Sequence, residues 1–81
     1  MRWKRQDLVP ALGEALTALG KRGSIPRVCE YIWNKYEQDL RGSGDLFFTW
    51  QYDVRWAATV LRHQKKMKPA ELSPKGVWEL V

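Results

Sequence analysis

The side chains best suited to reading a nucleic acid lie in the second half of the chain. Gln51, Tyr52, Arg55 and Thr59 recur at spacings that would place them on one face of a helix. Arginine can bind guanine through two hydrogen bonds, and glutamine can pair in the same way with adenine. We therefore expect these four residues to face the major groove of double-stranded DNA. The alternative for Arg55 is a salt bridge to Asp53 or to the second helix, in which it would serve packing.

Other side chains are suited to holding phosphates, which position a protein on DNA without reading its sequence. Thr59 and Arg62 would hold phosphates from the same predicted helix. Ser73 and Lys75 would do so from the tip of a C-terminal turn. The alternative for Ser73 and Lys75 is a turn that meets only solvent.

The basic residues are concentrated in two parts of the chain. The net charge is +5, and residues 1–23 and residues 46–66 each carry three more cations than acids, whereas the segment between them has one acid in excess. Such a balance favours an anionic partner, most often a nucleic acid. In the first part, Arg2, Lys4 and Arg5 form either an arm that reaches the minor groove or a disordered terminus.

Catalysis and metal binding are not expected of this sequence. The 81 residues include one cysteine, Cys29, and one histidine, His63, so neither an internal disulfide nor a cysteine-based zinc site can form. The carboxylates show no acid–acid–lysine pattern in a strand context. No apolar run approaches the roughly 20 residues of a membrane span, and no apolar segment follows the basic start as in a secretory peptide. We therefore predict a binding module without a cofactor and without a membrane partner, and not an enzyme.

Apolar spacing predicts three helices that would position these side chains. The first covers residues 7–19 with Asp7 as its N-cap, and the second follows Ser24 as N-cap, with Pro26 in its first turn. The third covers residues 49–64 and would carry the groove-facing side chains.

The segments around the third helix are predicted to be a loop, a short strand and a hairpin. Residues 41–45 are typical of a flexible loop, and residues 46–48 are a β-prone run. Apolar and polar residues alternate in the tail, which predicts a hairpin over residues 70–80 with a type I turn at residues 73–76. Pro69 would make the first of these two strands an edge.

This order of elements predicts a single domain over residues 1–81, with residues 1–6 as a flexible basic arm. The fold class is α+β, mostly α: three helices and a C-terminal β-wing of two or three strands make a winged helix-turn-helix. In that fold, the third helix would enter the major groove and the tip of the wing would lie against the DNA backbone.

Two motifs resemble the N-terminal winged-helix domain of Mrr-type, modification-dependent restriction endonucleases. One is Asp-Val-Arg-Trp-Ala at residues 53–57, and the other is Ser-Pro-Lys-Gly-Val-Trp-Glu-Leu at residues 73–80. The chain departs from the family in two places. The turn lacks one basic residue between Lys75 and Gly76, and residues 66–68 read Lys-Met-Lys where the family has Gly-Leu-Ile.

The resemblance implies a DNA-recognition domain of a bacterial restriction system. Its partners would be double-stranded DNA, including modified DNA, and a nuclease domain or subunit. The protein would then be cytoplasmic and associated with the nucleoid.

The aromatic residues leave two questions open. Trp78 is predicted to be core, and Trp56 to pack rather than stack on bases, whereas Trp50 and Tyr52 would be exposed and could touch a thymine methyl group or a methylated base. The alternative function is a winged-helix module that docks a protein. In that case residues 46–48 would form an exposed apolar patch together with Trp50.

Overall fold

Across residues 2–81, which the computed structural model describes, the fold is α+β and mostly helical, with three α-helices and a two-stranded antiparallel sheet. Met1, which the predicted domain included, lies outside the described residues. The α-helices and strands are α1 (Leu8–Ala18), β1 (Arg22–Ser24), α2 (Ile25–Arg41), α3 (Leu46–His63) and β2 (Val77–Glu79). Single 3₁₀ turns lie at Arg5–Asp7 and Ala70–Leu72.

The first helix, α1, supplies one wall of the core. Leu12 and Leu16 are fully buried, and the helix predicted over residues 7–19 is confirmed to within one residue at each end. Asp7 does not cap α1 with its side chain. Its carboxylate instead accepts a hydrogen bond from the backbone N–H of Lys4 at 2.8 Å, which closes the 3₁₀ turn before the helix.

The second helix, α2, begins as predicted. The Ser24 hydroxyl oxygen accepts a hydrogen bond from the backbone N–H of Arg27 at 3.3 Å, so the predicted N-cap is confirmed. Val28 and Ile32 are fully buried against the core. Tyr36 has non-helical backbone angles, φ −122° and ψ 24°, and therefore kinks the helix.

The third helix, α3, begins three residues earlier than predicted, and the strand predicted over residues 46–48 is wrong. Gly44 has a φ of 61°, which a glycine adopts at little cost, and this lets the chain turn directly into the helix. The backbone N–H of Phe47 donates to the Gly44 carbonyl at 3.0 Å. Leu46 and Trp50 are both buried, because helical spacing puts them on the same side of α3.

The flexible loop predicted over residues 41–45 is a short, packed turn. Arg41 belongs to α2, and Ser43 is 4% exposed. The Ser43 hydroxyl accepts a hydrogen bond from the backbone N–H of Trp3 at 2.8 Å and donates one to the Asp39 carbonyl. The turn is therefore held to the N-terminal segment.

The sheet joins segments that are far apart in the sequence, so the hairpin predicted over residues 70–80 is wrong. β2 pairs antiparallel with β1, and Gly23 lies opposite Trp78. A single bridge between Met67 and Leu80 extends the sheet on the other side of β2. Only one strand of the predicted C-terminal wing therefore comes from the tail. The Arg-Gly-Ser sequence of β1 has no apolar alternation that would have predicted it.

We call residues 73–77 the C-terminal turn. The backbone N–H of Val77 donates to the Pro74 carbonyl at 3.1 Å, so the β-turn within this segment spans 74–77 and not the predicted 73–76. Gly76 is its third residue and has a φ of 78°, which a type II turn requires and a type I turn does not.

The core lies between α1 and α3 and is closed by α2 and the sheet. Trp78 is 5% exposed, which confirms the prediction that it is core. Among residues 2–81, no helix combines the length and the apolar character that crossing a membrane requires.

Candidate nucleic-acid interface

The outer face of α3 carries the four side chains that were predicted to read DNA bases. Gln51, Tyr52, Arg55 and Thr59 are all exposed, and the ring of Tyr52 is among the most exposed apolar groups of the protein. The opposite face of the helix is buried in the core. The four residues therefore share one solvent-facing side of a helix whose other side is anchored.

Arg55 makes no ion pair among the described residues. One of its terminal nitrogens donates to the Gln51 carbonyl at 3.1 Å. Asp53, the alternative partner, accepts a hydrogen bond from the Thr49 hydroxyl at 2.8 Å. Thr59 in turn donates to the Arg55 carbonyl at 3.3 Å. Arg55 therefore keeps an uncompensated charge on the outer face of α3.

The N-terminal segment that was predicted to be a flexible arm packs along the helices. The guanidinium of Arg5 lies 4.0 Å from the ring centre of Trp56, a cation–π contact, and the ring of Trp3 lies 4.7 Å from that of Tyr36. Trp56 is half-buried under Arg5, in agreement with its predicted packing role. Arg5 therefore lies on the flank of α3, with its guanidinium over Trp56.

The other two basic residues of the segment are exposed. Lys4 makes no ion pair among residues 2–81, and the guanidinium of Arg2 lies so close to Gly44 that a Cβ there would collide with it. Arg2 therefore borders the turn from which α3 begins, and adds positive charge there.

Three of the four side chains predicted to hold phosphates, Arg62, Ser73 and Lys75, meet around one groove, whereas Thr59 does not line it. It has a volume of about 530 Å³ and lies between α3 and the C-terminal turn. Glu71 is the acidic residue that lines it. The sequence placed these residues on two separate elements, and the fold brings them together.

Within this groove, the three side chains differ in their surroundings. Arg62 is half-buried, and its Nε donates to the Lys68 carbonyl at 3.2 Å, so it also holds the chain where α3 ends. The Ser73 hydroxyl is buried and has no hydrogen-bond partner among the described residues. Lys75 is exposed on the turn. The groove thus offers a guanidinium, a hydroxyl and an ammonium to an anion.

Sequence reasoning missed Phe48 as a member of the α3 face. Its side chain is 82% exposed, one helical turn before Tyr52. Leu46 and Trp50, with which it was predicted to form an apolar patch, are instead buried. The spacing of four residues between Phe48 and Tyr52 was visible in the sequence, but it had no meaning while residues 46–48 were assigned to a strand.

The side of the molecule formed by α1 and α2 carries charges that are paired. The Glu14 carboxylate accepts hydrogen bonds from the hydroxyls of Tyr36 at 2.6 Å and Tyr31 at 3.0 Å, and lies 2.8 Å from the Lys35 ammonium. The Lys35 ammonium is the main reason that the pKa of Glu14 lies below its ordinary value. Hydrogen bonding to Glu14 raises the pKa of Tyr36 and that of Lys35.

The histidine and the cysteine have separate surroundings. His63 is exposed at the end of α3. Cys29 is half-buried, and burial raises the pKa of its thiol, with the nearby Arg55 charge opposing this. Among residues 2–81, no three His, Cys, Asp or Glu side chains are grouped so that they could hold a metal ion.

Comparison of the chain with protein-family models, with curated proteins and with solved structures finds no match.

Proposed function

We propose that this chain is a winged helix-turn-helix domain that binds double-stranded DNA without catalysing a reaction on it. α3 would lie in the major groove as the recognition helix, and the C-terminal turn would lie against the backbone as the tip of the wing. The observation that carries the proposal is the outer face of α3. Its exposed hydrogen-bonding and cationic side chains lead along the helix to the groove that Arg62 shares with the C-terminal turn.

The connectivity supports this assignment. α2 and α3 are joined by four residues, 42–45, two of which are glycines, as in a helix-turn-helix. The chain that leaves α3 returns through the C-terminal turn, and β2 pairs with β1 next to the start of α2. This arrangement puts the C-terminal turn beside the last turns of α3, where a wing would flank the same DNA.

The charge distribution supports the same assignment. Residues 54–75, which cover most of α3 and lead to the turn, contain six lysines and arginines and one acid, Glu71. Cations that face phosphates release condensed counterions, which favours binding at low salt. Arg2, which lies against Gly44 just before α3, would extend this contact toward the other end of the helix, and we propose that the exposed Lys4 also contacts the DNA backbone.

The resemblance in residues 53–57 and 73–80 supports a more specific context. We propose that the domain is the DNA-recognition part of a bacterial restriction system of the Mrr type, located in the cytoplasm at the nucleoid. It would then work with a nuclease domain or subunit, and its DNA targets would include modified duplexes.

A second candidate function is the docking of another protein. The observation that favours it is the ring of Phe48, which is 82% exposed next to the half-buried Phe47. A Phe48 variant that loses a protein partner while it keeps its full affinity for DNA would support this second function.

The proposal is tested by titrating a fluorescent random-sequence duplex with the protein at two salt concentrations and sequencing the retained DNA. We expect the logarithm of the binding constant to fall with the logarithm of the salt concentration, by about 0.9 for each phosphate contact. The amide spectrum should shift along α3 and the C-terminal turn. Absence of both binding and spectral shifts at low salt would exclude the proposal.

A matched pair of arginine variants separates recognition from bulk charge. Arg55→Ala should weaken binding to the selected duplex by about 10- to 100-fold, the range for the loss of one arginine–guanine pair. Arg27→Ala removes the same charge from the α1–α2 side, where Arg27 lies 3.7 Å from Glu30, and should change the affinity less than twofold. Equal losses in both variants would contradict a role for α3 in recognition.

A further inference from the structure

Two aromatic rings protrude from the first half of the α3 outer face. Phe48 is 82% exposed and Tyr52 is 76% exposed, and their spacing of four residues places both side chains on the same side of the helix. Phe48 is also supported from the side, because its ring packs edge-on against Phe47 with ring centres 4.9 Å apart. Phe47 in turn lies 6.3 Å from Trp33. The exposed ring of Phe48 therefore packs against a chain of aromatic neighbours.

The same face continues directly into the cationic half of α3. Arg55 and Thr59 follow Tyr52 on the exposed side, and Asp53 is the only acid of α3 and is hydrogen-bonded to Thr49. A ligand of this face must therefore be an anion that also presents apolar groups at one end. The major groove of DNA fits that description, because its one apolar feature is the methyl group on C5 of thymine, next to the phosphates.

We propose that Phe48 and Tyr52 recognise pyrimidine C5-methyl groups in the major groove, with thymine as the natural source. This inference rests on the proposed DNA-binding function and adds a base preference to it. Residues in the first half of a recognition helix lie closest to base edges, which is where α3 carries these two rings. Arg55, one turn further on, would then read a neighbouring base pair through hydrogen bonds.

The size of the effect follows from burial of a small apolar group. Covering one methyl group contributes about 0.8 kcal/mol, which corresponds to a change in affinity of about fourfold. Two methyl groups contacted together would give a change of about 15-fold.

The experiment compares duplexes that differ only in C5-methyl groups. The duplex selected from the random pool is prepared with thymine and with uracil, and a second pair contains 5-methylcytosine or cytosine at the same sites. We expect the wild-type protein to bind the thymine duplex about 4- to 15-fold more tightly than the uracil duplex. A preference for 5-methylcytosine over cytosine of similar size would support the same methyl contact with a modified base as an additional source.

Four variants assign the effect to the rings. Phe48→Ala and Tyr52→Ala should each lower the ratio of thymine to uracil affinity by about fourfold for every methyl contact that the ring makes, and the double variant should bring the ratio close to one. Val81→Ala, which shortens another exposed apolar side chain, should leave the ratio unchanged. Equal wild-type binding to the thymine and uracil duplexes would overturn the inference and leave the proposed function intact. A methyl preference of wild-type size in both ring variants and in the double variant would also overturn it. Failure to bind any duplex would instead refute the proposed function.

Discussion

The α1–α2 side and the α3 side of the molecule use their charges in opposite ways. On the α1–α2 side, Glu14 binds one lysine and two tyrosine hydroxyls within 3.0 Å. On the α3 side, Arg55 and Arg62 donate only to backbone carbonyls, and Lys75 makes no ion pair among the described residues. The charged side chains of the first side are therefore neutralised by ion pairs, whereas the cations of the second side remain available to bind an anion.

The difference between the two sides indicates which part of the surface can attract an anionic ligand. A cation beside a carboxylate is neutralised locally, so it adds little to the attraction of a distant anion. The acid-rich segment that separates the two basic blocks belongs to α2 and the turn after it, and its acids hold Arg27 and Arg41 in place at 3.7 Å and 2.8 Å. The net charge of +5 is therefore presented mainly by α3 and the residues that flank it.

The largest expected effect comes from breaking the contact that joins the two sides. Trp50 of α3 is 4% exposed and stacks on Trp33 of α2, with ring centres 6.1 Å apart and planes 7° from parallel. Trp50→Ala should lower the free energy of unfolding by about 3–5 kcal/mol, measured by denaturant titration. Phe48→Ala, about half a turn away on the exposed side of α3, should lower it by less than about 0.5 kcal/mol. Similar losses in the two variants would contradict the assignment of Trp50 to the core.

The next largest effect is expected for the salt dependence of DNA binding, when an unpaired lysine and a paired lysine are each replaced. Lys75→Ala should reduce the steepness of the salt dependence of DNA binding by about one and weaken all sequences alike. Lys35→Ala removes the same charge from the Glu14 pair and should leave the salt dependence unchanged. Fluorescence anisotropy at four salt concentrations measures both slopes. A base-dependent loss in Lys75→Ala would show that the C-terminal turn reads sequence instead of holding phosphate.

The pH dependence of thermal stability tests the charge pairing around Glu14 on the α1–α2 side separately from DNA binding by α3. Because the folded-state pKa of Glu14 is lowered from 4.5, its ionised form stabilises the fold above that pH, and this contribution is lost as the pH falls through the lowered pKa. Glu14→Gln should therefore flatten the loss of thermal stability below pH 4.5 and cost about 1 kcal/mol at neutral pH. Its affinity for DNA at pH 7 should remain within twofold of wild type. An unchanged acid profile would contradict the Glu14 assignment.

The smallest effect on stability is expected for the cation–π contact between Arg5 and Trp56 of α3. Arg5→Ala removes the cation from the face of Trp56 and should lower the stability by about 0.5–1 kcal/mol. Removal of Arg5 should also change the tryptophan emission. Arg27→Ala, which removes a cation that lies 3.7 Å from Glu30, is the control and should leave the emission unchanged. No spectral change in Arg5→Ala would show that Arg5 does not rest on Trp56 in solution.

Local patterns predicted much of the helical structure and of the α3 face. Ser24 caps α2 through a hydrogen bond to a residue three positions away, so the start of that helix is visible in a short stretch of sequence. The exposure of Gln51, Tyr52, Arg55 and Thr59 follows from helical periodicity, which is also local.

Contacts between distant segments were not predictable in this way. The pairing of Gly23 with Trp78 depends on how three helices bring two three-residue strands together, and β1 has no apolar pattern that would identify it as the partner of β2. The packing of Arg5 on Trp56 turned an expected arm into part of the surface for the same reason. The early start of α3 was missed because a β-prone composition at residues 46–48 was weighed without Gly44, whose positive φ lets the helix begin.

Composition and the spacing of apolar residues are enough to predict that the protein is small and basic, that three helices form and that α3 presents a polar face. These properties depend on composition and on spacings of three or four residues, which act within one element. Three other features depend on the tertiary structure. Arg62, Ser73 and Lys75 share a groove, and the rings of Phe48 and Tyr52 protrude from the same face of α3. The acids of α2 form ion pairs with basic residues of the same helix. Such arrangements arise when the core is buried, because packing of the apolar faces sets which surface side chains become neighbours.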